Sequence, residues 1–540
     1  MVCRKFLHPI KGVFLDLIIS DLQIPLEKDG MDEYANVASH RLRTGVETIT
    51  VAKILSKSLD VRDQQQFYYK LTLVVRTADS YENIQGFPCY TEPVKVKRKT
   101  DTRNHERPIV VGFGPAGMFA ALELIEYGLK PLIFERGNMI EERSLDVQRF
   151  MQEREINAES NIQFGEGGAG SYSDGKLFSR RNGNTSYVNR VLQTFIQFGA
   201  PAEIAYISKP HLGTDVLCAI VRNIRTYILE RGGEIRYGAK MTDILIADGA
   251  ATGVVINGDQ EYPASAIYIA LGHSARDTLT MMHAKGVAME QRPIAVGLRI
   301  EHPAAVINRM RYGDKYHDFP GLGAATYSLN YTNRKIRRGV YTFCMCPGGE
   351  VINASSDQGM MVVNGMSYSH RSSAFSNAAL VVNCHVEDYG SASPLAGIAF
   401  QQDIERKAFN AGGGRWEIPA QNLMDFLGKK GGGGLHANSF QQGAVCADMR
   451  DIFPGFVISA LVDAFEAWKV QVPLFVSSQA ILLGAETRTS SPVRVLRNEH
   501  YESVNTRNLY PIGEGAGYTG GITSSAADAI RAVEMRLALQ

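Results

Sequence analysis

The chain has 540 residues, 45% of them hydrophobic, and a formal net charge of +1; that length holds two to four domains with ample core, and the balance shows no basic field, which argues against nucleic acid as a partner. No apolar run approaches the ~20 residues of a membrane span, and residues 1–7 carry two basic side chains with no adjoining apolar core, so no export signal is expected. The seven cysteines are odd in number and scattered, without CxxC or HExxH, which points away from a disulfide framework or a metal site and towards a reducing cytoplasm.

Residues 1–103 read as a small α+β module. A strand is expected at 12–19, a helix at 32–42 and β-rich segments at 47–55 and 67–75, the last with alternation at Tyr69, Leu71 and Leu73. No catalytic constellation falls in this module, so packing or partner docking is its expected role. The charged run at 98–107 reads as a linker.

The stretch 107–137 has the most organised pattern. Ile109, Val110 and Val111, between Pro108 and Gly112, fit a buried strand. Gly112, Gly114 and Gly117 follow with GxGxxG spacing, and Pro115 and Ala116 lie within it. Gly112 permits a tight turn, Gly114 lets the backbone approach a pyrophosphate, and Gly117 with Ala121 brings a helix close to the strand. The helix N-terminus at 118 and before offers N–H groups to phosphates. A second strand at 131–134 ends in Glu135, 23 residues after Gly112, where an acid binds ribose hydroxyls and disfavours a 2′-phosphate. Arg136 joins this set. Strand, helix, strand and acid in that order read as a dinucleotide site, with FAD or NAD both open at this point.

A charged, partly exposed helix is expected at 138–159. The glycine cluster at 164–176 suits either a loop wrapped around a polar ligand or a flexible surface loop; ligand contact is the preferred reading, with Gly168, Ser171, Asp174, Gly175 and Lys176 as contacts. Helices are expected at 187–199 and 214–231, then consecutive strands at 234–238, 242–247 and 251–257. A strand at 266–271 ends at Gly272 and forms a third wall for the same ligand; His273 is either a ligand contact or a turn residue.

Residues 291–484 read as an inserted sheet-based domain, with strands at 295–302, 341–349, 361–365 and 380–385 and helices at 393–411, 421–428 and 456–470. Arg299 and Glu301, two apart on a strand, share a face. Cys344 and Cys346 have the same spacing, near the upper limit for a disulfide, and read as a strained redox pair or as buried structural thiols. Residues 429–434 lack the order of a phosphate loop and read as a surface connection. Arg299, Arg488 and Arg494 together suit bidentate binding of a carboxylate; singly, each suits a structural ion pair. Glu301 or His302 is the candidate for moving a proton. The chain ends with a strand at 509–512, a glycine loop at 513–521 and a helix at 522–539, without a second GxGxxG.

The segments VVGFGPAGMFAALEL, FGEGGAGSYSDGKL, KPHLGTD, CMCPGGEV followed by VVNGMS, ETRTSSPVR and LYPIGEGAGYTGGITSSAADAI carry a resemblance. The chain resembles the glutathione-reductase-like superfamily of FAD-dependent oxidoreductases and, more narrowly, the bacterial FAD-dependent (NAD(FAD)-utilising) dehydrogenases. The resemblance implies an α/β architecture: a Rossmann-type FAD-binding domain from 104–290 and 485–540, a β-rich substrate or cap domain at 291–484, and the module at 1–103. It implies FAD, with Glu514, Gly515 and Gly517 holding the cofactor chain, Gly513 beside them as a cofactor contact, and Gly521, Ile522 and Thr523 facing the N1 edge of its ring. A helix N-terminus there stabilises the charge that reduction creates, and Lys176 sets a cation near the reduced flavin. The expected activity is hydride transfer between flavin and a small, carboxylate-bearing organic substrate. NADH is a candidate soluble donor, although no second Rossmann domain is seen. Two alternatives stand beside it: a thiol/disulfide enzyme using Cys344 and Cys346, and a non-enzymatic FAD-binding redox sensor or partner-docking protein.

Overall fold

The computed structural model describes residues 14–92, 107–177, 185–429 and 433–538. Residues 1–7 with Cys3, the expected linker at 98–107 up to its last residue, and the 430–432 part of the surface connection lie outside them. The chain forms two compact units: one comprises 1–97, 201–210 and 312–316, the other the remainder.

In the smaller unit β1 (Leu15–Pro25), α1 (Met31–Leu42), β2 (Ile49–Asp60) and β3 (Tyr68–Thr77) form an antiparallel sheet of order β1-β3-β2. Alternation in β3 places Leu71, Leu73 and Val75 on one face, where they bury Leu17 and Ile19 of β1 against Tyr34, Ala38 and Leu42 of α1. Phe67 stacks on Tyr316 at a centroid distance of 4.2 Å.

The larger unit begins with β4 (Ile109–Val111), α2 (Pro115–Glu126), β5 (Leu132–Phe134), α3 (Ile140–Glu153), α4 (Thr185–Gln197), α5 (Thr214–Glu230) and β6 (Glu234–Arg236). Next come β7 (Met241–Ala247), β8 (Ala250–Ile256), β9 (Gln260–Pro263), β10 (Ile267–Ile269) and α6 (Arg276–Ala284). Then β11 (Met289–Gln291), β12 (Ile294–Pro303), α7 (Ala304–Tyr316, of which 312–316 belong to the smaller unit), β13 (Asn330–Asn333), β14 (Arg338–Cys346), β15 (Glu350–Asn353), β16 (Val363–Met366) and β17 (Phe375–Cys384) follow. The chain closes with α8 (Ala396–Ala411), β18 (Ile418–Asn422), α9 (Leu423–Phe426), β19 (Ala444–Cys446), α10 (Gly455–Gln471), β20 (Ile481–Glu486), β21 (Val493–Val495), β22 (Leu509–Pro511) and α11 (Ile522–Ala538).

Two sheets position the site. A parallel five-stranded sheet has the order β22-β10-β4-β5-β6, and a seven-stranded sheet has the order β13-β14-β17-β12-β20-β18-β19. The parallel strands are short and wholly apolar at β4 and β5, as strands buried on both faces must be. The strands at 234–257 are not consecutive neighbours: β6 joins the parallel sheet, the chain turns at Gly238 (φ +59), and β7, β8 and β9 form their own antiparallel meander. The helix at 138–159 stops early, at Glu153, where Arg154 takes a left-handed conformation (φ 64). The helix at 421–428 is one turn only, because Ile418–Asn422 is a fully buried strand paired with β20 and β19, and sheet pairing overrides the local helical pattern.

Candidate functional site

The site starts from strand register. Val111 pairs with Ile269, and Ile269 with Pro511, so β4, β10 and β22 end side by side. The turns at Gly112, Gly272 and Gly513 therefore leave one edge of the sheet together. Gly112 has φ +96, and Gly117 stands against its carbonyl, where any Cβ would push α2 off β4. A Cβ on Gly513 would lie 2.7 Å from Cβ of Ala116, and one on Gly515 would lie 3.0 Å from the Gly272 nitrogen. The C-terminal turn is fixed from behind: Gly513 donates its N–H to Asp528 at 2.9 Å, and Arg497 clamps Asp528 with both ends of its guanidinium. Gly114 is the N-cap of α2 and Pro115 its first residue, with no side chain capping it. The N–H groups and dipole of that helix end remain available to an anion.

Glu135 is buried, and its carboxylate accepts the N–H groups of Phe113 (2.8 Å), Gly137 (3.0 Å) and Gly165 (2.9 Å). The glycine loop is held from its other side by Arg143. This fully buried guanidinium donates to the carbonyls of Asn161, Ile162, Gly165, Glu166 and Gly168. Gly167 donates to the Phe113 carbonyl at 2.9 Å, and a Cβ on Gly168 would lie 3.0 Å from Cα of Gly114. Farther along, Gly170 abuts Ile522, and Thr523 donates to the Leu177 carbonyl at 2.7 Å. The loop thus runs from the first glycine turn to the N-terminus of α11. Gly175 packs on the Leu212 carbonyl and cannot carry a side chain.

The residues fit a dinucleotide. The buried hydroxyl of Ser171 has no hydrogen-bond partner among the described residues. A Cβ on Gly272 would meet nothing within 4 Å, and those on Gly520 and Gly521 would reach a neighbour only at 4.0 Å, so the backbone between the turns is open. Burial raises the Glu514 carboxyl to about 7 against the pull of Arg292. Arg136 bonds bidentately to Asp277 and to Glu159 over the Phe164 ring, beside a groove of about 490 Å³ lined by Asn138, Ser160, Lys240 and Asn257.

The seven-stranded sheet corrects several expectations. Arg299, Arg488 and Arg494 do not share a ligand, since each already has its own carboxylate. Arg299 donates to Glu486 (2.5 Å), Asn364, Asn377 and the Cys344 carbonyl, and Glu486 holds it charged despite complete burial. Arg488 and Arg276 grip Glu405 from two sides, with Asp357 at the rim; burial disfavours the Glu405 charge, but the two guanidinium groups hold its carboxyl well below the usual range. Arg494 pairs with Glu290 on a third-exposed surface. His302 is also displaced from the expected role. It points to the opposite face from Glu301, bonds the Phe475 carbonyl at 2.8 Å, and burial depresses it to about 4. His273 bonds Ser274, and burial with Arg488 and Arg276 depresses it to about 3. Glu301 keeps the face shared with Arg299. It accepts from the N–H and hydroxyl of Ser439, yet burial raises it to about 7.

Cys344 and Cys346 are not successive residues of a flat strand. A bulge lies between Phe343 and Cys346, Cys344 has φ +39, and both thiols are free. Burial raises both, Cys344 to about 12, which leaves them protonated at neutral pH rather than nucleophilic. Their neighbour is Lys176, whose ammonium bonds Asp174 at 2.6 Å. Burial disfavours the Lys176 charge, but the Asp174 carboxylate outweighs it and holds its pKa above the ordinary value. Arg143, Arg371, Asp528 and Glu486 were not legible as site residues, because each acts on a partner remote in sequence.

An α/β fold whose glycine turns meet on one edge of a parallel sheet, with a buried acid and an uncapped helix end beside them, defines a dinucleotide-binding protein. Residues 293–489 match the family described as FAD-dependent protein, C-terminal domain-like. A Clostridium beijerinckii (strain ATCC 51743 / NCIMB 8052) protein described as an uncharacterized protein is 39% identical over 535 residues, covering 96% of this chain and 97% of its own. The chain belongs to one family with this protein, its residues 293–489 carry the domain described for FAD-dependent proteins, and FAD is its cofactor. Solved structures similar to it include CmlS, a flavin-dependent halogenase (13% identity, 80% of this chain and 57% of that one, TM-score 0.36). The flavin-dependent brominase Bmp2 (14%, 81% and 80%, TM-score 0.35) and the open conformation of a flavocytochrome c3 fumarate reductase (11%, 81% and 78%, TM-score 0.31) are others. At these values the likenesses carry no argument about activity.

Proposed function

We propose that the protein is a FAD-dependent oxidoreductase of the glutathione-reductase-like superfamily, a dehydrogenase or reductase acting on a small organic substrate. The observation that supports it is the meeting of two surfaces: the glycine loop, tied to the N-terminus of α11 through Thr523 and Leu177, carries Lys176 to the thiols of Cys344 and Cys346 on the seven-stranded sheet. Bound FAD supplies a two-electron donor or acceptor. Gly112, Gly114 and the first turn of α2 hold its phosphates, Glu135 its ribose, and Gly521 to Thr523 present a partial positive charge to the ring. The groove beside Arg136 takes the adenine end. Lys176 sets a fixed cation at the substrate side, and Glu301 holds a proton near neutral pH within the same buried face. NADH is the proposed soluble donor, and 291–484 the part that covers the substrate. The thiol–disulfide alternative has lost its support, because burial keeps both thiols protonated.

Anaerobic stopped-flow mixing of the FAD-loaded protein with NADH, NADPH and a panel of small organic acids and amines tests the reading. Rapid bleaching of the flavin band by one donor supports it. Slow, indifferent bleaching by every compound overturns it and favours a redox sensor.

A further inference from the structure

We infer that Lys176 and Arg371, yoked by Asp174, form the binding site for a carboxylate on the substrate; the inference rests on the oxidoreductase reading for the meaning of "substrate", but not for the site. The two cations come from different parts of the larger unit. Lys176 ends the glycine loop, and Arg371 lies in the turn between β16 and β17. Between them Asp174, with 2% of its side chain exposed, accepts Lys176 at 2.6 Å on Oδ2. Arg371 donates Nη2 to Oδ2 at 2.9 Å and to Oδ1 at 3.0 Å, with Nε at 3.2 Å from Oδ1. Ser367 donates to Oδ1 as well, and His211 sits on the Asp174 carbonyl at 3.3 Å.

Charge and donor counts are both left unbalanced. Two cations share one carboxylate, and the nearby Glu486 is engaged by Arg299. Lys176 uses one of its three protons and Arg371 leaves Nη1 unbonded among the described residues, while their side chains remain 26% and 19% exposed. A fixed pair of cations with spare donors, held by a buried acid, is organised for a second carboxylate, because guanidinium and ammonium each gain a charge-assisted bond without moving. His211, which burial and Arg371 keep neutral, adds no competing charge. Arg371 holds this aim from a left-handed backbone (φ 47), its carbonyl seated on Gly348, a position where no Cβ fits.

Isothermal titration calorimetry of the FAD-loaded protein tests the site with benzoate, oxalate and acetate beside the matching neutral amides. The inference requires at least one carboxylate to bind in preference to its amide. It also requires Arg371→Met and Lys176→Met each to weaken that carboxylate by at least about tenfold, with flavin content unchanged. Arg371→Lys, which keeps the charge and fold but loses the fork, falls between. Equal binding of acid and amide, no carboxylate binding, or unchanged affinity in the variants overturns the site. Loss of FAD in both Met variants, with carboxylate affinity retained on re-addition of FAD, assigns the cations to the cofactor and also overturns it. Carboxylate binding by a protein whose flavin no donor reduces leaves this site standing and removes the oxidoreductase reading; fast flavin reduction with no preference for acids does the reverse.

Discussion

Some single side chains in this protein are tuned by burial more than by neighbours. Glu301 and His302 are adjacent in sequence, yet one is raised to about 7 and the other lowered to about 4, both chiefly by desolvation. Each neutral form is favoured in the fold. For Glu301 the folded value lies above that of the unfolded chain, near 4.3. Its protonation therefore stabilises the native state fully at acidic pH, and that contribution is lost as pH rises through about 7. Glu301→Gln removes this slope. Its stability relative to the parent should rise by about 1.4 kcal/mol for each pH unit between 5 and about 7 and then level off, measured by urea unfolding from pH 5 to 8. A constant difference would show that Glu301 titrates normally. His302 has the opposite sign, losing stability as pH falls from about 6.5 through 4, but it is present in both proteins and cancels. The alternation of strand faces was legible from the sequence at Arg299 and Glu301. Their partners were not: Glu486 lies 187 residues from Arg299 and Ser439 lies 138 from Glu301.

Among the elements, β4 and α2 meet at a close joint. Gly117 stands against the carbonyl of Gly112, and Gly513 against the methyl group of Ala116, so three segments meet with no more than one methyl group between them. Gly117→Ala places a methyl group against backbone, which cannot rotate away, and α2 must shift by the width of that group. FAD affinity should fall at least tenfold, read by flavin fluorescence titration, with α2 shifted and its N–H groups misaligned. Gly455→Ala, whose Cβ would enter open space at the start of α10, should leave affinity unchanged. Equal affinity in both variants would remove the glycine turn from the cofactor site. The spacing of Gly112, Gly114 and Gly117 announced this joint directly. By contrast, the helix expected at 421–428 shrank to the single turn of α9, since the pairing of β18 with β20 and β19 claims the residues up to Asn422.

At the scale of the whole molecule, the proposed FAD site draws on residues from 112 to 523, all of which belong to the larger unit. Any ligand that binds only the folded chain stabilises it, by about 2.7 kcal/mol at a hundredfold excess over Kd. Stripping the flavin should lower the calorimetric melting temperature of the protein by several degrees, and added FAD should restore it. A melting temperature indifferent to FAD would contradict a site assembled from both ends of the chain.

The sequence by itself determined the dinucleotide half of this protein. A short apolar strand, three spaced glycines, a helix and a terminal acid are local features, and backbone sterics force one conformation on them. It also showed that a glycine turn returns near residue 513. Only the tertiary structure decided what those turns face. It distributed the three arginines to three separate acids, turned His302 away from Glu301, and set Lys176 and Arg371 on either side of Asp174. Charge pairing across nearly two hundred residues depends on which sheet edges meet, and no local pattern encodes that.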